Sequence, residues 1–192
     1  MLEEEYNPRR TLPPHLRAKP AAEQEFAFSI RDATERDLPD IREIYNHYIA
    51  NSTVTFDEEP QSLAELRAKF RHTKKLGYPF LVAVSPSGEI LGYATVAPWK
   101  QKAAYRYTVE NSIYLRAAST GKGLGTALMG ELLTRAKEAG IKEVIAVIAD
   151  RGAEPSIAMH ERFGFTEVGR MGKVGFKFDR WLGTVLMQKS LK

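Results

Sequence analysis

The sequence predicts a three-layer α/β or α+β domain, a sheet covered by helices on both faces. Three observations lead there. Strand-period and helix-period segments interleave from residue 28 to the end of the 192-residue chain. Val144–Ile148 is an unbroken apolar run, the pattern of a strand buried on both sides. A glycine-rich segment, Gly121–Gly125, joins a strand directly to an amphipathic helix. A length of 192 residues suits one such domain and leaves little room for a second.

Residues 1–27 are expected to form a proline-rich N-terminal arm, and residues 28–192 the domain. The arm holds Pro8, Pro13, Pro14 and Pro20, no glycine and no apolar period. Phe28–Arg31 then reads as a short strand. Thr34-Glu35-Arg36-Asp37 resembles a capping box and opens a helix whose Leu38, Ile41, Ile44, Tyr45, Tyr48 and Ile49 share one stripe. Ser62-Leu63-Ala64-Glu65 is a second such box, with Leu63, Leu66 and Phe70 behind it.

Strands dominate next. Phe80–Val84 and Ile90–Val96, joined by Ser85-Pro86-Ser87-Gly88, predict a hairpin. Arg106–Leu115 reads as a longer strand. Gly123–Ala139 predicts a helix, with Leu124, Leu128, Leu132 and Ala136 at four-residue steps and Gly140 past its end. Pro155–Phe163 reads as a short helix closed by Gly164, and strands near Phe165–Val168 and Thr184–Gln188 finish the chain.

Composition narrows the chemistry. The chain has no cysteine, which removes disulfides, thiolate catalysis and Cys-ligated metal sites. Its formal net charge is +4, but no dense Lys/Arg run with interleaved aromatics suggests nucleic acid. Apolar runs are far shorter than a membrane span, and Met-Leu-Glu-Glu-Glu is too acidic for a targeting peptide. The protein is expected to be cytoplasmic, with no membrane or nucleic-acid partner.

The most informative segment is Thr120-Gly121-Lys122-Gly123-Leu124-Gly125-Thr126. Alternate glycines let the backbone curl so that successive N–H groups line one concavity at a helix N-terminus. Such a concavity holds a pyrophosphate. Neither the Walker nor the dinucleotide glycine pattern fits, since Arg116 and Thr126 stand where each needs glycine. A turn serving only tight strand–helix packing is the competing reading.

In the preceding strand, alternation puts Arg106, Thr108, Glu110, Ser112 and Tyr114 on one face. Tyr107, Val109, Asn111, Ile113 and Leu115 fall on the other. Mid-strand burial of Glu110 would raise its pKa toward that of a general base. A structural ion pair with Arg106 explains the same residue equally well.

These segments resemble the GCN5-related N-acetyltransferase (GNAT) superfamily and, within it, the phosphinothricin and methionine sulfoximine N-acetyltransferases. The similarity lies in Thr120–Gly125, Asn51–Phe56, Ala97–Trp99, Tyr105–Glu110, Pro155–His160 and Gly175–Leu182, and spans about Ser29 to Leu191. It implies a mixed, mostly antiparallel sheet, splayed where acetyl-CoA enters, in a homodimer without a metal. Acetyl-CoA is the implied cosubstrate and a small amino acid or analogue the implied acceptor, with direct transfer in a ternary complex.

Residue by residue, the resemblance implies that backbone groups of Ile113, Tyr114 and Leu115 pair with the pantetheine arm. The loop Thr120, Gly121, Lys122, Gly123, Leu124, Gly125 and Thr126 holds the pyrophosphate. Glu110 is the implied base. His160 stands where many members carry a tyrosine acting as acid toward the thiolate, and Ser156 lies beside the cofactor. Phe56, Lys100, Lys102, Tyr105 and Arg106 are the candidates for the acceptor, the cations for its carboxylate. Against these stand plainer roles: a structural histidine, loop-anchoring aromatics and a solvated basic loop. Thr120 and Ala153 depart from the family pattern of Gln or Arg and of Asn, which implies weaker cofactor binding. A protein N-terminal or lysine acetyltransferase, or a non-catalytic acyl-CoA-binding module, are the competing functions.

Overall fold

Alternation in one central strand decides which helix covers which face. In the computed structural model, which describes residues 26–192, Phe80 and Val82 turn to one core while Leu81 and Ala83 turn to another. The first core is closed by α1 (Leu38–Asn51) and α2 (Leu63–Lys75), through Leu38, Ile41, Ile44, Leu66 and Phe70. The second is closed by α3 (Leu124–Glu138), whose Leu124, Leu128, Leu132 and Ala136 are fully buried at the four-residue spacing of one helix face.

Between the helices lies a seven-stranded sheet. Its strands are β1 (Ser29–Asp32), β2 (Phe80–Val84), β3 (Ile90–Pro98), β4 (Thr108–Leu115), β5 (Glu143–Ala149), β6 (Thr166–Lys177) and β7 (Arg180–Ser190). Their order is β1-β2-β3-β4-β5-β7-β6. Every neighbouring pair is antiparallel except β4 and β5. A fourth helix, α4 (Glu154–Arg162), packs beside β5. The sheet is the mixed, mostly antiparallel one expected.

Both capping boxes form. Thr34 donates its N–H to Asp37 Oδ2 at 2.7 Å, and Arg31 pairs with the same carboxylate at 2.8 Å. A short 3-10 turn, Glu35–Asp37, intervenes before α1 begins. Ser62 and Glu65 exchange bonds of 2.8 and 3.2 Å at the start of α2. Each such cap is worth about 1 kcal/mol. Gly140, at φ +83°, ends α3 as its position suggested.

The splay arises from a mismatch of pairing lengths. β4 pairs with β3 without interruption from Val109 to Leu115. It pairs with β5 only over Thr108–Glu110, after which the two parallel strands part.

Two segments differ from the sequence expectation. Arg106 and Tyr107 precede β4 rather than belonging to it, because the 3-10 turn Ala103–Tyr105 reverses the chain and ladder pairing begins later. β6 and β7 are much longer than expected and form a hairpin closed by Phe178 and Asp179, at φ +51° and +55°. An aromatic residue in such a turn gives no local turn signal. The irregular register between Met171 and Gly175, with Lys173 at φ +54°, breaks the alternation that would have marked the strand. Phe26, just inside the expected arm, packs against the α3-side core, and Lys122 lies 4.6 Å over its ring. Residues 1–25 of the arm lie outside the described residues.

Candidate functional site

Where β4 and β5 part, the sheet opens into a cleft of about 800 Å³. One wall is β4 from Glu110 to Leu115, and the other is β5 from Ala146 to Ala149. The glycine loop and α4 also line the cleft, as do α1 and the Val54–Asp57 loop.

At the loop end, Gly121 and Gly123 both adopt left-handed backbone, φ +73° and +79°. A Cβ on either would meet no protein atom within 4 Å. The glycines are therefore required by the turn and not by crowding. No side chain caps the start of α3. Its first amides are left without a side-chain partner beside the cleft, with the positive end of the helix dipole behind them. Gly121, Gly123, Gly125 and Thr126 line the cleft, as does Thr120, whose hydroxyl donates to Ala117 O at 2.9 Å. The Lys122 and Leu124 side chains lie elsewhere, the first over Phe26 and the second fully buried. These amides and glycines suit the pyrophosphate of coenzyme A. Its pantetheine arm would run along Ile113, Tyr114 and Leu115 toward Glu110. The Leu115 carbonyl already accepts from Tyr48 at 2.8 Å, which occupies one of its lone pairs.

Glu110 lies on the cleft wall, half-buried. Burial raises its pKa above the usual carboxylate value, and the Lys100 charge pulls it partly back. No ion pair with Arg106 forms among the described residues. The Arg106 guanidinium instead donates to Ala103 O at 3.2 Å and stacks 4.6 Å from Tyr107.

His160 is buried and engaged at both ring nitrogens. Nδ1 lies 2.8 Å from Ser156 O, a carbonyl that can only accept, so Nδ1 carries the proton. Nε2 is then the lone pair that accepts from Asn111 Nδ2 at 3.0 Å. Burial pushes its pKa below the ordinary histidine value. The expected acid role finds no support in these contacts: Nδ1 donates to Ser156 O and Nε2 is taken up by the Asn111 amide, so this arrangement offers no ring proton to a thiolate. Ser156 lines the cleft, and its carbonyl fixes this tautomer. Asn111 Oδ1 and Thr184 Oγ1, both on residues of the cleft walls, have no partner among the described residues.

Of the acceptor candidates, Phe56 lines the cleft. Lys100 stacks 4.6 Å over Trp99, close enough for its charge to act on Glu110. Lys102, Tyr105 and Arg106 do not line the cleft; they sit on the exposed turn before β4. This corrects their expected place beside the base. The strand extension that would have brought Arg106 onto the Glu110 face is absent.

Sequence reading also missed a polar cluster. Tyr45 donates to Asp57 Oδ2 at 2.7 Å, and Thr55 Oγ1 lies 3.0 Å from the same phenol. Since the single phenol proton goes to Asp57, the Thr55 hydroxyl donates to Tyr45. Burial pushes the Tyr45 phenol up to about 12. Tyr45 and Tyr48 pack edge-on against Tyr114, centroids 5.0 and 5.3 Å away, so two residues of the apolar stripe of α1 also carry hydroxyls into the cleft. The stripe could be read from spacing, but its polar use could not. No group of three His, Asp or Glu side chains among the described residues comes together to hold a metal.

Known proteins share this architecture. The family model described as "Acetyltransferase (GNAT) domain" matches residues 30–186. An L-methionine sulfoximine/L-methionine sulfone acetyltransferase of Pseudomonas paraeruginosa is 44% identical over 85% of this chain and 94% of its own. A phosphinothricin N-acetyltransferase of Alcaligenes faecalis is 37% identical over 86% of this chain and 83% of its own. A solved GNAT superfamily phosphinothricin acetyltransferase from Sinorhizobium meliloti, in complex with acetyl-CoA, is 42% identical. It superimposes with a TM-score of 0.81 over 85% of this chain and 88% of its own. With the family match spanning nearly the whole described chain, the protein belongs to the GNAT family of acetyltransferases and is an N-acetyltransferase.

Proposed function

We propose that the protein transfers the acetyl group of acetyl-CoA to the α-amine of a small amino acid or analogue, of the methionine sulfoximine and phosphinothricin type. One observation carries this reading. A carboxylate with a raised pKa stands in the same cleft as an uncapped, glycine-lined helix N-terminus. The names of the relatives supply the acceptor class.

The residues divide the work. The loop amides hold the pyrophosphate, and β4 guides the arm. Acetyl-CoA supplies an activated acyl group. Glu110, as the carboxylate, takes a proton from the acceptor ammonium. The freed lone pair attacks the acyl carbon, and the sulfur leaves with the electrons of the broken C–S bond. Base catalysis of this kind contributes about 10²–10⁴-fold. His160, hydrogen-bonded at both ring nitrogens, ties Asn111 of β4 to α4. The chain has no cysteine to carry an acyl group, which favours direct transfer in a ternary complex. Because acetyl-CoA is a cytoplasmic metabolite, the same reading places the enzyme in the cytoplasm.

The working unit in this reading is a homodimer. Val168, Met171, Val174, Phe176, Phe178 and Trp181 on the β6–β7 hairpin are each at least 43% exposed, an apolar surface that suits a second copy.

The test is thiol release from acetyl-CoA with L-methionine sulfone, L-methionine sulfoximine or L-phosphinothricin, alongside mass detection of the N-acetyl product. One thiol per acetylated amine is expected, with intersecting initial-rate patterns. Silence on all three, with turnover of an amino-terminal peptide, would replace the reading. Light scattering at twice the chain mass tests the dimer.

A further inference from the structure

Gly175–Leu182 is among the most family-like stretches of the sequence, yet none of the chemistry above uses it. Its first residues lie on β6, opposite Leu182, Trp181 and Arg180 of β7. Gly175 and Lys177 share one face of that strand, and Phe176 turns outward, 52% exposed.

Both inward residues meet the loop Ser52–Phe56, whose Thr55 and Phe56 line the cleft. Lys177 is only 2% exposed. Its ammonium donates to Ser52 O and to Thr55 O, each at 2.9 Å. It forms no ion pair among the described residues, so two backbone carbonyls are its hydrogen-bonded partners. Burying an ammonium against two carbonyls and the face of Phe178, 5.0 Å away, is costly, and burial pushes its pKa down despite Asp57 and Glu58 nearby. Gly175 leaves room for the next residue along the loop: a Cβ there would stand 2.5 Å from Phe56 Cδ2. Adjacent inward positions of β6 thus fix adjacent loop residues, Thr55 by a cation and Phe56 by an absent side chain. The Tyr45 bonds to Thr55 and Asp57 hold the same loop from α1.

We propose that Gly175 and Lys177 are positioning residues that set Phe56 and Thr55 over the acceptor amine and so determine acceptor affinity and selectivity. The inference rests on reading this end of the cleft as the acceptor site. A loop pinned to an extended hairpin cannot adapt to acceptors of different size. The clamp therefore favours a narrow range of small amino-acid analogues over peptides.

Two measurements test it. In steady-state assays with L-methionine sulfone, Lys177→Met is expected to raise the acceptor KM at least about tenfold, equivalent to 1.4 kcal/mol, with the acetyl-CoA KM within about twofold. Gly175→Ala is expected to do the same, and in a Phe56→Ala background its effect should vanish, since the ring it displaces is gone. Equal rises in both KM values, or a Gly175→Ala effect that persists without Phe56, would overturn the proposal. Hydrogen exchange of the wild type and Lys177→Met needs no turnover. Faster exchange confined to residues 52–57 is expected, and unchanged exchange there would overturn the clamp. If the wild type acetylates none of the amino-acid analogues, the acceptor reading fails by itself and the exchange result decides the clamp.

Discussion

Glu110 faces Ile145 in the last pair of the short parallel ladder between β4 and β5. One residue further on, the strands have separated. Glu110 therefore stands at the root of the fork, held by backbone pairing on both sides, and β4 beyond it lines the open cleft. A carboxylate fixed this way loses little orientation when an amine arrives. It also forfeits part of its solvation, which raises its pKa.

That placement predicts the effect of Glu110→Gln. The variant keeps shape and hydrogen bonding but cannot accept a proton, so kcat at neutral pH is expected to fall about 100-fold or more. Coenzyme A affinity, measured calorimetrically, is expected to stay within about twofold. In the wild type, log kcat/KM should fall with unit slope as pH drops below the raised pKa, and the variant should lack that limb. Wild-type turnover by the variant would reduce Glu110 to a structural role.

The same shift has a consequence for stability, with its sign fixed by linkage. A carboxyl whose pKa is higher folded than unfolded binds more protons in the native state between the two values. Its contribution is complete below the ordinary carboxylate range and is lost as pH rises through the folded value. Glu110→Gln mimics the protonated form at every pH. The melting temperature of the variant should match the wild type near pH 4 and exceed it at pH 8. A constant difference across that range would show that burial does not shift this group.

Much of this architecture was legible in the sequence, and the failures have physical causes. The stripe Leu124, Leu128, Leu132 and Ala136, the two capping boxes and the alternation through Glu110 are local patterns, and each formed as read. The glycine loop was legible because left-handed backbone at Gly121 and Gly123 demands glycine. The site's other half is made by distant segments: Lys177 reaches Ser52 across 125 residues, and no local spacing encodes that bond. Arg106 misled because alternation continues past the end of a ladder, and only pairing shows where a strand begins. His160 misled because its role depends on the carbonyl at Ser156 and the amide at Asn111, which a residue type cannot reveal.

The histidine geometry makes its own prediction. Nitrogen-15 shifts of His160 should report a neutral ring protonated at Nδ1 at pH 6.5. Because its pKa is lowered on folding, its contribution to stability is present above the ordinary histidine value and lost as pH falls through the folded one. His160→Leu leaves the Asn111 amide without its partner and is expected to cost about 1–3 kcal/mol in urea unfolding. An imidazolium at pH 6.5, or a proton on Nε2, would make the acid role the better reading.

The glycine loop allows a comparison that separates strain from ligand contact. Gly123 and Gly140 both sit in left-handed backbone, φ +79° and +83°, and a Cβ on either would meet no protein atom within 4 Å. Valine at each position should therefore cost a similar amount of stability, of the order of 1–2 kcal/mol. What differs is the space that the new side chain enters. At Gly123 it is the mouth of the cleft, in front of the first amides of α3; Gly140 lies past the far end of the same helix. Gly123→Val should raise the acetyl-CoA KM about tenfold, which is 1.4 kcal/mol of lost binding, while Gly140→Val leaves it unchanged. The acceptor KM should move little in either. Calorimetric titration of coenzyme A into the two folded variants is the decisive measurement. Equal affinities would mean that the loop serves strand–helix packing alone, and that the pyrophosphate is held elsewhere.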